Sequence, residues 1–397
     1  MTQISAGWTS AARTSGITLD RLRSQARAAT LFAPTGLADA VQKLGFVQAD
    51  PIRAPARAQD LILRHRVRGY QAGDLERGFA RLHLEEDFLY AHGFMPRETR
   101  HLLHPRQDPQ DAPDTHAPDR LASEVLDFVR GHGPTHPRDL EARFGRDRAV
   151  NGWGGFSKAT TRALEHLHHG GLLRVAFRRD GIRVYEAAPL PPPAVEPAER
   201  ARHLVTLVAR ILCPVSTVSL RGALALMARR NPGLGKLAPV IAALLRSGEL
   251  EQDIIDGETY LWPASLWPAS AGGREHRPAP RDVRLLAPFD PLVWDRRRFE
   301  HLWGWTYRFE AYTPPPQRLF GYYAMPMLWG NTVIGWANIA MVAGKMEATM
   351  GYARNRPSSL GFNRALDAEL ARMENFLASR KPPPEACLLY TSDAADE

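Results

Sequence analysis

The chain has 397 residues, enough for two to four domains with their own cores, and its 44% hydrophobic and 9% aromatic content excludes a disordered polypeptide. No run of about 18 apolar residues occurs, and Met1 to Ser5 carries no charged segment leading into an apolar one. Neither a membrane span nor a secretory leader is expected, and the chain is read as cytoplasmic. A formal charge of +8 favours an anionic partner such as nucleic acid. The charge carries that argument; the preference for Arg does not, because a G+C-rich genome produces Arg, Ala, Gly and Pro bias by itself.

The N-terminal segment reads as helices over Leu19 to Leu31 and Gly36 to Leu44, then a link from Gln48 to Ile52. Arg57 to Leu63 follows the helical pattern, broken at Gly69-Tyr70, and Asp74 to Phe79 reads as a short helix. Glu85 to His92 continues the helical reading as far as the stop at Pro96. A Pro/Asp/His-rich linker covers His104 to Pro118.

The next segment has a recognisable plan. Helices are expected over Leu121 to Arg130, Pro137 to Phe144 and Lys158 to His169, then a hairpin from Leu172 to Phe177 and Ile182 to Ala187. Asp180-Gly181 is its turn signal. Helix, short helix, helix and hairpin is the winged-helix order. After a Pro-rich linker the order repeats: Arg200 to Leu212, Ser219 to Arg229, Lys236 to Ser247, then strands Leu250 to Ile254 and Glu258 to Trp262 around Asp256-Gly257. A degenerate copy at the N-terminus makes three.

After a second linker, strand-like runs cover Thr306 to Tyr312, Leu319 to Met325 and Thr332 to Met341, closed by a helix over Gly361 to Leu377. The expected fold is α+β: three tandem winged-helix units followed by a small C-terminal β-barrel-like domain. The units are placed at residues 1–118, 119–195, 196–270 and 281–386. The last residues, Cys387 to Glu397, resemble a translated sequencing-library adapter and are expected not to belong to the native protein. That leaves Cys213, which is read as a small buried hydrophobe.

Gln48-Ala49-Asp50 is the most informative triplet. An amide and a carboxylate at i and i+2 of an extended segment point the same way. Here they precede the cationic run Arg53, Arg57, Arg64, His65, Arg66 and Arg68. That pairing is the equipment for orienting a water beside a phosphate-binding surface; the plain alternative is a polar loop next to a solvated basic helix face.

Other groupings carry less. Glu165-His166-Leu167-His168-His169 is rich in ligand types, but adjacent helical residues do not converge on a metal. Asn231 to Lys236 lacks the spacing of a phosphate loop and follows a helix. Phe289-Asp290-Pro291 with Trp294-Asp295-Arg296 is either functional or a brace, and the brace is favoured.

These residues together resemble the YcaQ/AlkZ family of DNA glycosylases. The likeness rests on Leu44 to Asp50, Ala56 to Leu61 and Arg68-Gly69-Tyr70. Near the other end it rests on Leu285 to Arg298, Phe309 to Tyr312 and Gly321 to Pro326. It implies three winged helices and a β-barrel arranged as an open C, and a Gln-x-Asp catalytic pair formed by Gln48 and Asp50. It implies double-stranded DNA with alkylated or crosslinked purines as partner, no metal or other cofactor, and a monomer. Two runs depart from the family pattern. Tyr90-Ala91-His92 stands where many members have Trp-Ala-His, and Gly335-Trp336-Ala337-Asn338 where a Gly-Arg-x-Asp type is usual. Glu86 and His92 either support the site or cap and pack a helix end. The rival to the enzyme is a winged-helix DNA-binding protein or regulator without catalysis; a weaker one is a protein-interaction module.

Overall fold

The computed structural model describes residues 17–106, 120–150, 156–189, 195–267 and 281–378. The adapter-like end and most of each linker lie outside those residues. Helix α1 (Leu19–Thr30) starts at Thr18, whose hydroxyl accepts from the Arg21 amide at 3.3 Å. Helix α2 (Leu37–Leu44) ends at Gly45, with φ +73°, a left-handed conformation glycine adopts without a Cβ clash. That turn sets Phe46 and Val47 inward and opens the short strand β1 (Val47–Gln48). Helices α3 (Ala58–Leu63) and α4 (Asp74–Gly78) follow, then strands β2 (Leu84–Phe88) and β3 (His92–Pro96), and helix α5 (Arg97–Leu103).

The expected helix from Glu85 to His92 is therefore a β-hairpin, forming an antiparallel sheet of order β1-β3-β2. Three consecutive acids look like a solvated helix turn, but Glu85, Glu86 and Asp87 are all buried. Their charges are met by partners from distant segments, which periodicity does not register. Gly93 makes the sheet possible. A Cβ there would lie 2.4 Å from the Phe46 ring and 2.5 Å from the Val47 carbonyl.

The second segment has helices α6 (Arg120–His132) and α7 (Pro137–Phe144), strands β4 (Arg148–Val150) and β5 (Phe156–Lys158), helix α8 (Ala159–His169), and the hairpin β6 (Leu173–Arg179) and β7 (Ile182–Ala187). The expected helices and hairpin are present; the small β4–β5 pair is an addition. Helix α7 is fixed by a reciprocal cap: the His136 ring accepts from the Arg138 amide at 3.1 Å, and Asp139 accepts from the His136 amide at 2.9 Å. In the hairpin turn Asp180 and Gly181 take φ +54° and +81°, the positive pair that matches strand twist.

The third segment repeats the order. Helix α9 (Pro197–Ile211), strand β8 (Val215–Ser216), helices α10 (Thr217–Arg229) and α11 (Ala238–Arg246), and strands β9 (Leu250–Ile255) and β10 (Glu258–Pro263) give a sheet of order β8-β10-β9. Its turn, Asp256-Gly257, has φ +48° and +81°.

The C-terminal region differs from expectation. Strand β11 (Val283–Leu285), helix α12 (Arg296–Trp303), strands β12 (Met325–Trp329), β13 (Thr332–Val342) and β14 (Lys345–Tyr352), and helix α13 (Leu360–Ala378) are observed. Among the described residues the sheet is open, in the order β11-β12-β13-β14, and no closed barrel forms. The expected strands Thr306 to Tyr312 and Leu319 to Met325 are mostly one irregular loop. Pro314-Pro315-Pro316 removes backbone donors, and Gly321 takes φ +106°. Tyr307 packs on Phe320 and Phe309 on Tyr323, rings whose spacing imitates strand alternation.

By contact the chain divides into two compact units, neither continuous in sequence. One comprises Met1–Ala33, Arg202–Ala225 and Lys236–Glu369; the other comprises Pro34–Ala201, Leu226–Gly235 and Leu370–Glu397. The first unit has a core of Leu22, Ala26, Cys213, Tyr260, Trp262, Phe299 and Leu302 with their neighbours. Burial pushes the Cys213 thiol up to about 12, in keeping with a packing role. The run after Pro288 is the brace of this unit. Asp295 caps α12 by accepting from the Arg298 amide at 3.1 Å. The buried Arg298 guanidinium donates to the carbonyls of Leu212, Pro214 and Pro291. Arg298→Ala strands those carbonyls in the core. It is expected to lower the unfolding free energy by about 3 kcal/mol, measured by urea denaturation; an unchanged midpoint would refute the brace.

Candidate active site

In the second unit Gln48 is the last residue of strand β1, and Ala49 and Asp50 follow directly after it. Gln48 pairs with Gly93, and the Ala49 amide donates to the His92 carbonyl at 2.9 Å. Gln48 is half-buried; its Oε1 is shielded from solvent and accepts no hydrogen bond from the described residues. Asp50, also half-buried, accepts from the Ile52 amide at 2.8 Å. Burial raises the Asp50 pKa above the usual carboxylate value, against the lowering effect of that amide. The carboxyl thus has enhanced basicity and one oxygen, Oδ1, already oriented.

The Tyr90-Ala91-His92 run wraps this strand. The Tyr90 ring is buried 5.1 Å from that of Phe46. His92 sits beside Arg183, with Nδ1 3.5 Å from a guanidinium nitrogen. His92 keeps solvent exposure, and the protein packed around its ring, then the Arg183 charge, lower its pKa and favour the neutral imidazole.

Behind the site lies a buried ladder of acids and cations. Glu85 is met by Arg97 at 2.9 Å and by Arg174 at 2.9 Å. Glu86 takes two hydrogen bonds from Arg178, at 2.6 and 2.9 Å, and one from Arg183 at 2.6 Å. Asp87 is met by His104 at 2.7 Å and Arg106 at 2.6 Å. Arg100 stands 3.8 Å from both Glu85 and Asp87. His168 closes the network through its Nε2, 3.0 Å from the Glu86 carbonyl. Burial alone would raise the Glu86 carboxyl, but Arg183 and Arg178 outweigh it and hold it at about 2. Asp87 lies well below its usual value for the same reason, with His104 and Arg106 as the opposing groups.

Glu86 and His92 stand differently toward the triplet. Glu86 ties β2 to the β6–β7 hairpin and acts on the triplet only through β3, whereas His92 meets the triplet through its own carbonyl. The arginines that answer the acids, Arg174, Arg178 and Arg183, were not singled out in the sequence. A hairpin that carries four arginines around a Gly turn was the available signal.

The expected phosphate-binding run divides. Arg53 and Arg68 are exposed, and Arg68 donates to the Pro34 carbonyl at 3.1 Å. Arg57 is paired with Glu76, and its guanidinium reaches the β6–β7 turn, 2.7 Å from where a Gly181 Cβ would stand. Arg64 is half-buried with its guanidinium 5.9 Å from the Phe376 ring. His65 and Arg66 are 2% and 0% exposed, so phosphate contact does not hold for them. Every residue of α3 is buried, and the chain carries that burial onward: Arg66 donates to the Ile62 carbonyl at 2.7 Å. A helix buried all round has no basic face to offer.

The divergent run Gly335 to Asn338 has structural work, in the first unit. A Cβ at Gly335 would lie 2.1 Å from the Gly351 carbonyl, and one at Gly351 would lie 2.2 Å from the Trp336 ring. Trp336 stacks on Trp305 at 5.7 Å and 18°. Asn338 donates to the Phe320 carbonyl at 2.6 Å and accepts from the Tyr323 amide at 3.3 Å. Of the histidine-rich run on α8, His166 is exposed while His168 is buried on the Glu86 carbonyl, so the rings do not converge.

The chain thus combines helices and antiparallel sheets with an amide and a carboxylate two residues apart at the end of a short strand. The family model of AlkZ-like DNA glycosylases matches residues 41–376. The chain belongs to that family, whose members are hydrolases of N-glycosyl bonds in DNA. A solved structure, the DNA glycosylase AlkZ of Streptomyces sahachiroi, shares the fold with a TM-score of 0.62 at 16% identity, over 92% of this chain and 98% of that one. Among the described residues no helix is long and apolar enough to cross a membrane.

The ladder has a pH signature. Glu86 is depressed from an ordinary 4.5 to about 2, so its contribution is complete above pH 4.5 and is lost as pH falls toward 2. Glu86→Gln leaves Arg178 and Arg183 without their counter-charge. The variant is expected to be about 3 kcal/mol less stable at neutral pH, with a shallower loss of stability on acidification. Wild-type behaviour in both respects would show the ladder to be energetically neutral.

Proposed function

We propose that this chain is an active, monofunctional glycosylase that hydrolyses the N-glycosidic bond of N7-alkylated purines in double-stranded DNA. Where such a base is tethered to the opposite strand, the same reaction unhooks the crosslink. The observation that carries this reading is the Gln48–Asp50 pair: a carboxyl of raised pKa two residues from an amide whose oxygen is shielded and unsatisfied. The three runs of helices closed by hairpins are read as winged helices on that DNA, and the protein as a monomer needing no cofactor.

Alkylation at N7 makes the purine cationic and a good leaving group, so no acid need protonate it. The remaining demands are to stabilise positive charge on the sugar and to deliver water. Asp50 meets both, as an anion beside the developing oxocarbenium and as general base. Gln48 accepts from the same water through Oε1 and holds it in line. The proton passes from water to Asp50, the oxygen bonds to the anomeric carbon, and the bond electrons leave with the base, neutralising its charge. Arg53 and Arg68 take phosphates, positioning the duplex without reading its sequence; Arg57 and Arg64 reinforce that side.

The test is release of N7-methylguanine from methylated duplex DNA under single-turnover conditions. Asp50→Asn is expected to lose about a hundredfold or more in rate while binding the duplex as wild type does. Wild-type protein that binds but releases no base would instead mark a non-catalytic DNA-binding protein.

A further inference from the structure

The first unit carries a surface that the glycosylase chemistry does not use. The loop from Thr306 to Tyr323 leaves three large side chains in solvent: Tyr312 at 80% exposure, Leu319 at 71% and Tyr322 at 42%. Exposed aromatic groups clustered on one loop signal recognition more often than accident. This loop is also built to hold them still. Glu310, buried beneath it, accepts from the amides of Phe320 at 2.7 Å and Gly321 at 3.2 Å. The Thr313 carbonyl accepts from Arg318 Nε at 2.7 Å. Asn338 fixes the far end through the Phe320 carbonyl, and Pro314, Pro315 and Pro316 stiffen the middle. Phe309 supports both sides, with its ring 6.1 Å from that of Tyr312 and 5.5 Å from that of Tyr323.

The charge on the loop has one sign. Its only acid, Glu310, is buried, whereas Arg308 is exposed and the Arg318 guanidinium lies 5.1 Å over the Tyr322 ring. Rigid, solvent-facing tyrosines interleaved with arginines match the chemistry of unpaired nucleobases on a polyanionic backbone. A base presents a face for stacking only when it is out of the duplex, and stacking tolerates any sequence. A protein partner would find the same rings, but one-signed basic charge on a chain of formal charge +8 favours an anion.

We propose that the Thr306–Tyr323 loop is a stacking platform for single-stranded DNA, with Tyr312 and Tyr322 as the base-contacting rings and Arg308 and Arg318 on the phosphates. The proposal stands apart from Asp50 chemistry, so its test uses undamaged DNA. The full chain is titrated against a fluorescein-labelled single-stranded oligonucleotide of about 16 nucleotides and against the same sequence as duplex. Tyr312→Ala and Tyr322→Ala are each expected to weaken single-strand binding about fivefold or more, with little change for duplex, and Tyr312→Phe to restore it. Thermal midpoints should not move, because both rings are exposed. Unchanged single-strand affinity in the two alanine variants overturns the proposal, as does an equal loss for single strand and duplex. Concentration-dependent self-association that disappears in the variants, with strand binding intact, would assign the loop to a second copy of the chain instead.

Discussion

Three consecutive carboxylates buried against arginines are the constraint on which the second unit depends. An ion taken out of water is costly unless its partners are placed well and its remaining lone pairs are satisfied. Glu85, Glu86 and Asp87 meet that condition collectively, because Arg97, Arg174, Arg178, Arg183, Arg106 and His104 arrive from four separate segments. The ladder is therefore a specificity device more than a source of stability. It admits one register of β2–β3 and one placement of the β6–β7 hairpin. Through β3 it fixes the His92 carbonyl, and through that carbonyl the backbone of Ala49.

The Gln48–Asp50 pair, proposed as catalytic, inherits its geometry from this chain of dependence. Gly93 lets β1 approach closely, Phe46 and Tyr90 fill the space behind it, and Asp50 emerges with one oxygen held by a backbone amide. Burial raises Asp50 while flanking cations depress Glu86, so two carboxyls, one just beyond the sheet and one within it, have opposite tendencies. The acid made more basic stands beside the amide; the acid held ionised is locked away as structure.

Much of the helical organisation was legible because its signals are local. The Asp180-Gly181 and Asp256-Gly257 turns state their conformation within two residues, and the structure follows them. Gln48 and Asp50 were legible as a pair, since their spacing and their placement after Phe46-Val47 need no tertiary knowledge. What failed was non-local. The acidic run reads as helix because its partners lie as far as 97 residues away in the sequence. His65 and Arg66 read as surface cations because a basic residue inside a folded unit has no sequence mark of its own. The aromatic loop reads as two strands because packed rings and strand alternation look alike in a sequence.

The central claim is that Asp50 acts as an ionised base whose pKa burial has raised. The pH dependence of single-turnover excision of N7-methylguanine tests it most directly. A raised pKa keeps a larger fraction of Asp50 protonated as the solution is acidified. The rate should therefore be full at neutral pH and fall through an acid limb lying above the ordinary carboxylate value of 3.8, and Asp50→Asn should abolish that limb. A wild-type rate that stays flat down to that value, or an Asp50→Asn variant with an unchanged profile, would contradict the account.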